Sequence, residues 1–332
     1  MNNMTALVSC FARAYHRWAN VVPVFDDTAA EALLGEDFRQ IAQNMQQGAA
    51  FFLPGFTGTP EEALRRIVDG QLAPSVLARS AFCERALARE TAQDCRQYVI
   101  LAAGYDTFAM RNKEDRLAVF ELDLPEVLED KRIRIERAAL SSGAKPIPCD
   151  LSESAWVKKL VSSGFHPAES AFFSLLGISY YLSEPDFRSL LRSVGHIAAV
   201  GSALCLDYPT DEESRIASVN RALAQGAGEA MNARYSPCGM EELLCGTGFR
   251  VREHLSAEDW FTAEADDAND IAVCLRDDGK TKKLGVFSLK GKSAEVGVPV
   301  KDGNYVNYIT GETVTVQGGK LRCAGEPVII SE

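Results

Sequence analysis

Short runs of apolar, β-prone residues recur through the middle of the chain. They cover residues 98–101, 117–122, 145–151, 171–177 and 201–207. Such runs, too short for a helix, are typical of parallel strands buried on both faces of a sheet. The segments between them have helical periodicity; residues 125–138, for example, place Leu128 and Ile135 on one face. The pattern therefore predicts an open α/β sheet of the Rossmann-like type, mostly parallel, with helices on both faces.

Other segments of the first 255 residues flank these predicted strands. Helical periodicity precedes the first strand over residues 4–19, 27–47, 60–69 and 73–89. Residues 48–60, GAAFFLPGFTGTP, interrupt it with three phenylalanines among glycines and prolines. They form either a pocket wall or lid, or part of the core, and the sequence leaves both open. Further on, residues 211–236 are polar and helical, residues 239–248 predict a helix, and residues 249–255 alternate like a half-buried strand.

The chain changes character at residue 264. Residues 264–270, EADDAND, have the composition of an acidic linker. The remainder lacks helical periodicity and contains short β-prone runs at turn spacing, including a hairpin with a D-G turn over residues 271–291. The sequence therefore predicts two domains. Residues 1–265 comprise an N-terminal helical cap (1–95) and a Rossmann-like core (96–265), and residues 270–332 form a small antiparallel β domain.

The turn after the first predicted strand bears on the choice of cofactor. Dinucleotide sites need G-x-G-x-x-G to hold a pyrophosphate, and the matching positions here are Ala102, Gly104 and Thr107. Asp106 also places a negative charge where the pyrophosphate would lie. S-adenosylmethionine has no phosphate, carries two cationic groups and keeps a ribose diol, which Asp123 at the end of the second strand is placed to bind. The turn favours S-adenosylmethionine, while a crossover without any ligand stays open.

At these residues the chain also resembles a known family. The runs LAAGYDT, FELDLPEVLEDKR, PCDLSE and SLLGISYYLS, in this order and spacing, resemble the leucine carboxyl methyltransferase family, which includes polyketide O-methyltransferases of the tetracenomycin type. The resemblance covers roughly residues 5–262. It implies a class I methyltransferase fold that uses S-adenosylmethionine. The tail, residues 270–332, resembles the C-terminal β domain of α-amylase family glycoside hydrolases, which implies a packing or interface module rather than hydrolysis.

The resemblance also implies roles for individual residues. Arg79 stands where the family has the arginine that binds the methionine carboxylate, a pairing that a guanidinium makes bidentately, although a solvated helix arginine is the usual case. Asp150 and Leu151 stand where the family holds the adenine, and a helix N-cap is the rival role for Asp150. Leu176 replaces a glutamate of the protein-methylating branch. The predicted cofactor-binding residues are Arg79, Ala102, Gly104, Asp106, Asp123, Leu124, Asp150, Leu151, Leu176 and Gly177.

Candidates for the acceptor site lie outside the predicted strands. In the family an N-terminal segment folds over the cofactor and helps to form the acceptor pocket, so His16 is a candidate substrate contact or catalytic base. A surface histidine is the more common case. Tyr181 follows the fourth strand and either stacks on a ligand or fills space at a helix start. The predicted acceptor-binding residues are Tyr15, Phe52, Tyr181 and Tyr235.

Composition and charge restrict the partners. A net charge of -11 and a pI near 5.0 disfavour nucleic acid and anionic membranes, which are bound by clustered Lys and Arg. No run reaches the ~18 apolar residues of a membrane span. Nine scattered cysteines without a C-x-x-C pair indicate reduced thiols in the cytoplasm. The four histidines lie far apart and no metal motif is present, so no metal is expected.

Taken together, the residues and the resemblance predict an S-adenosylmethionine-dependent O-methyltransferase. Its acceptor would be a small-molecule carboxylate or phenol, methylated by SN2 transfer, and the C-terminal β domain is a candidate homo-oligomer interface. Two alternatives stay open. One is an NAD-dependent oxidoreductase, which the turn disfavours. The other is a degenerate, non-catalytic binding or scaffolding module, because Ala102 and Leu176 replace residues that the family commonly uses.

Overall fold

The chain divides into two compact units, Met1–Arg252 and Glu253–Glu332. The computed structural model describes residues 4–20, 23–211, 215–226, 228–229, 231, 233–255, 262–266, 271–277, 281–288 and 291–332. Within these residues no helix is both long and apolar enough to cross a membrane.

A parallel sheet forms the centre of the first unit. In the described part of the chain its strands are β1 Gln97–Leu101, β2 Ala118–Asp123, β3 Lys145–Pro148, β4 Phe172–Leu175 and β5 Ala203–Leu206. Their spatial order is β3-β2-β1-β4-β5, all parallel. Leu101 pairs with both Leu122 and Leu175, so the carboxyl ends of the three middle strands lie level. The chain order reverses between β1 and β4, and ligands of open α/β sheets bind at such a switch point.

The helices of the first unit begin and end close to the predicted positions. They are α1 Met4–Ala19, α2 Ala30–Leu34, α3 Glu36–Gln47, α4 Ala49–Phe52, α5 Pro60–Ile67, α6 Ala73–Thr91, α7 Phe108–Arg111, α8 Pro125–Arg137, α9 Ala155–Ser162, α10 Glu184–Ile197, α11 Arg215–Gly226 and α12 Pro237–Cys245. A π-helical turn, Val68–Leu72, joins α5 to α6. The segment 27–47 is two helices rather than one, because Gly35 between them has φ +59°.

Hydrophobic side chains cover both faces of the parallel sheet. On one face Val99, Phe120 and Phe173 pack with α9, α10 and α12 through residues such as Trp156 and Leu191. On the other face Tyr98, Ile100, Val119 and Phe172 pack with α6 through Cys83 and Leu87. A sheet buried on both sides explains why its strands are apolar without alternation. The predicted fold class is confirmed.

The strand predicted over residues 249–255 is wrong. These residues form no strand, although the structure describes all of them. Phe249 instead donates its amide to Leu244 O at the end of α12, at 3.0 Å, and packs against the core face that α10 and α12 cover. The alternation in FRVREHL therefore belongs to a segment that leaves a helix and packs one half-buried aromatic ring.

The second unit is an antiparallel β structure with its own core. Its strands are β6 Thr262–Asp266, β7 Ile271–Asp277, β8 Lys282–Ser288, β9 Ala294–Gly297, β10 Gly303–Val306, β11 Thr313–Gln317, β12 Lys320–Cys323 and β13 Val328–Ser331. In its described residues they form two sheets, ordered β13-β8-β7-β6 and β10-β11-β12-β9. Val286, Ile330, Leu321 and Cys323 are buried between them. The all-β prediction is confirmed.

One detail of the C-terminal prediction is different in the structure, and another lies outside the described residues. Residues 264–266 of the expected acidic linker belong to β6, where they pair with β7, and residues 267–270 lie outside the described residues. The D-G turn of the predicted hairpin, residues 278–279, lies outside them as well. The two hairpin strands themselves are present as β7 and β8, which pair antiparallel with Val273 opposite Val286.

Candidate cofactor site

The turn after β1 has a backbone that few residues tolerate. Ala102 and Gly104 have φ values of +56° and +47°. Such φ values place the backbone amide of Gly104 towards the end of β2, where it donates to Asp123 Oδ2 at 2.6 Å. An alanine with a positive φ is strained, and strain of this kind concentrates at functional sites. The structure thus brings together the turn and the acid that the sequence singled out.

Asp123 lies at the carboxyl end of β2 and is nearly buried. Its Oδ1 accepts from the backbone amide of Leu124 at 2.7 Å, while Oδ2 accepts from Gly104. Burial raises the pKa of Asp123, and the two amide hydrogen bonds oppose that rise. Each carboxylate oxygen can accept a second hydrogen bond. Asp123 therefore joins two strand ends and keeps acceptor capacity for a pair of hydroxyl groups.

Arg79 reaches from α6 to the carboxyl ends of β4 and β5. Its Nη1 donates to Asp207 Oδ2 at 3.2 Å and to the Tyr180 hydroxyl at 3.3 Å, and its Nη2 donates to Ser9 Oγ at 3.2 Å. Burial lowers the pKa of Arg79 and Asp207 raises it, with a net rise. The guanidinium is charged and held beside Gly177. It is not a solvated helix arginine.

Helix α1 lies directly over the turn and the arginine. The Ala6 methyl is 3.3 Å from the point that a Cβ on Gly104 would occupy. Ser9, one helical turn later, accepts from Arg79, and Arg13 Nη2 donates to Tyr105 O at 2.8 Å. The N-terminal helix therefore forms one wall of the candidate site.

A buried carboxylate that the sequence analysis missed fixes this wall. Asp27 is fully buried; it accepts from Arg13 Nε at 2.8 Å and from Thr107 Oγ1 at 2.7 Å, and Arg111 Nε is 3.3 Å away. Burial raises the pKa of Asp27. Arg13, Arg111 and the hydrogen bond from Thr107 together lower the pKa by more than burial raises it, so the net shift is downwards. The segment between α1 and α2 is thereby joined to the turn after β1.

Asp106 and Leu176 line a small enclosed cavity beside this cluster. Its volume is about 10 Å³, which is close to the room that one water needs, and the other lining residues include Arg13, Glu84 and Arg111. Asp106 Oδ1 also accepts from the backbone amide of Phe108 at 2.7 Å, at the start of α7. Leu176 packs on the same core face as Ile100. Both predicted residues thus lie at the carboxyl ends of β1 and β4.

Asp150 and Leu151 follow β3 at the outer side of the sheet. Asp150 is exposed, and its Oδ1 accepts from the amide and hydroxyl of Ser152, which lower its pKa. The rival N-cap role for Asp150 is wrong, because α9 begins at Ala155 with Ser154 as its N-cap residue. Leu151 packs against the core face that α9 covers. Asp150 therefore closes a local turn through Oδ1.

His16 and Tyr15 are buried side chains of α1. The expectation of a surface histidine is wrong: His16 Nε2 accepts from the backbone amide of Val24 at 2.8 Å, and Nδ1 is 3.2 Å from the Asn20 amide. Burial lowers the pKa of His16. Tyr15 packs between Phe11 and Trp18, with ring centroids 5.7 and 5.6 Å away.

The remaining acceptor candidates lie in three different surroundings. Tyr181 contacts Thr5 of α1. Phe52 is buried, while the loop after it borders a wide surface hollow of about 930 Å³ between residues 53 and 66. Tyr235 packs in the core with Phe187, and its hydroxyl has no hydrogen-bond partner among the described residues. Tyr181 contacts α1, as Arg79 does through Ser9, and Tyr181 is therefore the acceptor candidate that lies nearest to the arginine along this helix.

The comparison with known proteins agrees with this geometry. The family model of leucine carboxyl methyltransferase matches residues 6–195, from α1 through α10. The chain belongs to the leucine carboxyl methyltransferase family. Its class of activity is accordingly methyl transfer from S-adenosylmethionine. Residues 262–330 match a second model, the bacterial α-amylase C-terminal domain, in agreement with the resemblance of the tail.

Curated proteins named as methyltransferases are similar to this chain over most or part of its length. A Bacillus subtilis protein named "Putative S-adenosyl-L-methionine-dependent methyltransferase YktD" is 34% identical over 274 residues, 78% of this chain and 90% of its own. Its Mycobacterium leprae counterpart ML2020 is 37% identical over 114 residues, 33% of this chain and 37% of its own. A solved structure, a DUF574 family protein of Streptomyces avermitilis, is 15% identical with a TM-score of 0.44, over 60% of this chain and 81% of its own.

Four residues of the site were missed by the sequence analysis. They are Ser9, Asp27, Asp207 and Glu229. For Asp207 a signal was present, because it follows the apolar run of β5 directly, as Asp123 follows that of β2. For Ser9 and Glu229 the partner lies far away in sequence, and nothing local marks them. Asp27 accepts from the nearby amides of Ala29 and Ala30 as well as from the distant Thr107.

Proposed function

We propose that this methyltransferase transfers the methyl group to an oxygen of a small-molecule carboxylate. A phenol is the second candidate acceptor. The observation that carries the proposal is the placement of a charged arginine and a carboxylate on either side of the Gly104 turn, at the carboxyl ends of the two strands, β4 and β2, that flank β1. S-adenosylmethionine supplies a methyl group already activated on a sulfonium. The protein then has to align donor and acceptor and exclude water.

The residues around the turn fit the parts of the cofactor. Arg79 would bind the methionine carboxylate, and its Nη2 has a hydroxyl of α1 as its present partner. Asp123 would bind the ribose diol through the acceptor sites that its two amide bonds leave. Asp150 and Leu151, after β3, would hold the adenine. Backbone around the turn and after β4 would line the middle of the site, at Ala102, Gly104, Asp106, Leu124, Leu176 and Gly177.

The state of His16 favours a carboxylate acceptor over a phenol. A carboxylate is already a nucleophile at neutral pH, whereas a phenol needs a base to accept its proton. Of the two ring nitrogens of His16, Nε2 is engaged by the Val24 amide. A base role would require that hydrogen bond to break. For the acceptor pocket we propose Tyr181, which is next to α1, and then Tyr15, Phe52 and Tyr235.

Cofactor binding is the first test. The purified protein is titrated calorimetrically with S-adenosylhomocysteine and separately with NADH. We expect micromolar affinity for the former and no heat from the latter. Asp123→Asn should weaken S-adenosylhomocysteine binding roughly tenfold, because a hydrogen bond to a charged group is lost. Asp302→Asn is the matched control, since Asp302 also accepts from two backbone amides, of Gly318 and Gly319, but in the β unit.

The acceptor class is tested by turnover. Release of S-adenosylhomocysteine is followed with a panel of small carboxylic acids, phenols and amines. We expect methyl esters as products, and an activity that His16→Gln leaves within about threefold. Turnover of amines alone would contradict O-methylation. Turnover of phenols that His16→Gln abolishes would instead support the second acceptor class.

A further inference from the structure

The guanidinium of Arg79 occupies space that a side chain at residue 177 would need. A Cβ built on Gly177 would lie 2.9 Å from Nη2 and 3.1 Å from Cζ and Nη1 of Arg79. Gly177 also has φ +71°, which disfavours other residues independently. The absence of a side chain at Gly177 therefore allows Arg79 to lie against the end of β4.

Asp207 completes the surroundings of this arginine. Its Oδ1 accepts from the Gly177 amide at 2.6 Å, and its Oδ2 accepts from Arg79 Nη1 at 3.2 Å and from the Tyr180 hydroxyl. Its backbone carbonyl accepts from the Ser179 hydroxyl at 2.7 Å. The Asp207 carboxylate thus links the end of β5 to α6 through Arg79, and to the segment after β4 through Gly177 and Tyr180.

The two terminal nitrogens of the Arg79 guanidinium bind different parts of the protein. Nη1 is engaged by Asp207 and Tyr180, whereas the recorded partner of Nη2 is Ser9 of α1. Nη2 is therefore the nitrogen that an incoming carboxylate can take over from a weak, neutral partner. An arginine loses much rotamer freedom when it binds a ligand, and a side chain already held in place loses less.

We propose that Asp207 and Gly177 are positioning residues for the methyl donor. They hold Arg79 in the orientation in which Nη2 meets the methionine carboxylate. The inference rests on the proposed function. It adds Asp207 to the site, and it gives Gly177, whose backbone would also line the site, a role through Arg79.

The test compares two ligands that differ in the amino acid part. S-adenosylhomocysteine carries the methionine-derived carboxylate, whereas 5′-methylthioadenosine has the same adenosine and thioether without it. We expect Asp207→Asn to weaken binding of S-adenosylhomocysteine about tenfold, in line with the loss of a charge-assisted hydrogen bond, and to leave 5′-methylthioadenosine unchanged. In an Arg79→Ala background, Asp207→Asn should have no further effect on either ligand.

Gly177→Ala is a second, independent variant, and it should change the ratio of the two affinities in the same direction. Its matched control is Gly201→Ala, since Gly201 has φ +94° but no atom within 4 Å of an added Cβ. The control carries the same kind of backbone strain and should leave the ratio unchanged.

The outcomes separate this inference from the proposed function. Equal weakening of both ligands by Asp207→Asn, or unchanged binding, would overturn the positioning role. Tighter binding of S-adenosylhomocysteine would overturn it as well, because Asp207 would then compete for Arg79. In each of these cases the proposed function stands if the unaltered protein binds S-adenosylhomocysteine and Arg79→Ala weakens it. No binding by the unaltered protein would overturn both.

Discussion

Asp27 shows how a single carboxylate stays charged away from water. Its two oxygens accept from Arg13, from Thr107 and from the backbone amides of Ala29 and Ala30 at the start of α2. Burial opposes the charge, but the two nearby guanidinium groups more than compensate, and the pKa falls below its usual 3.8. A depressed carboxyl pKa stabilises the fold at pH values above the unfolded pKa. That contribution is lost as the pH falls through the folded pKa, below about 3.8.

We predict that Asp27→Asn lowers the free energy of unfolding by about 3–5 kcal/mol at pH 7, because it removes the buried counter-charge of Arg13 and leaves Arg111 with Glu84 alone. The neighbouring Asp26→Asn is the control, since Asp26 pairs with Arg17 at the surface and should cost about 0–1 kcal/mol. Urea unfolding of both variants measures the difference. It should shrink below pH 3.8, and a cost of Asp27→Asn that is no larger than that of Asp26→Asn at pH 7 would refute the prediction.

At the residue scale, the sequence predicted the groups that local pattern marks. Gly104 and Asp123 stand out because a glycine turn and an acid follow apolar strands, and the structure joins them through one hydrogen bond. Asp27 and Glu229 do not stand out. Glu229 depends on a partner 225 residues away, and Asp27 joins its own segment to Thr107, which is 80 residues away. Local periodicity reveals neither of these distant partners. Asp207 could have been found by the rule that singled out Asp123.

At the scale of elements, α1 is held to the rest of its unit by contacts at both ends. Near its start the Met4 amide donates to Glu229 Oε1 at 3.2 Å, and the Thr5 hydroxyl donates to Glu229 Oε2. Towards its end Arg13 bonds Tyr105 O and Asp27. Glu229 thus acts as an N-cap supplied from a distant part of the chain, since it satisfies donors of the first turn.

Glu229→Ala should loosen the first turn of α1. Loss of a cap costs about 0.5–2 kcal/mol, so amide hydrogen exchange in residues 5–12 should accelerate roughly twofold to thirtyfold, while α6 stays protected. Hydrogen-exchange mass spectrometry measures both segments in one experiment. Glu241→Ala, on exposed α12 surface, is the control and should change neither. Equal protection of α1 in the two variants would show that Glu229 does not cap it.

The elements themselves were largely predictable because burial determines their pattern. Strands covered on both faces must be apolar, which is why β1, β2 and β4 were found at nearly their correct ends. The segment 249–255 was mistaken for a strand because alternation of polar and apolar residues does not show whether a neighbouring strand is present to pair with it. The helical periodicity over 27–47 does not show the break at Gly35, whose positive φ ends α2.

At the scale of the whole molecule, the chain contains two units with separate cores. The parallel sheet is covered on two faces within residues 1–252, whereas Val286 and Leu321 belong to the core of the β unit. The exposed Val306, Tyr308 and Ile309 lie in that second unit. Oligomerisation through it, like the exact boundary near residue 265, stays a prediction.

We predict two transitions when the full chain is heated in a calorimeter. S-adenosylhomocysteine at a hundred times its dissociation constant should stabilise the first unit by about 2.7 kcal/mol, which corresponds to roughly 5–10 °C, and should leave the second transition in place. A single cooperative transition that moves as a whole with the ligand would contradict the independence of the two units. A non-binding nucleoside such as uridine serves as the ligand control.

The position of α1 has a consequence for the time course of catalysis. With Ala6 lying on Gly104 and Ser9 on Arg79, we expect a ligand bound at these residues to leave only after α1 lifts. The residence time of the spent cofactor would then equal the waiting time for α1 to lift. Chemistry faster than this lifting would not raise the steady-state rate, and a burst of the first product equivalent would precede slower turnover.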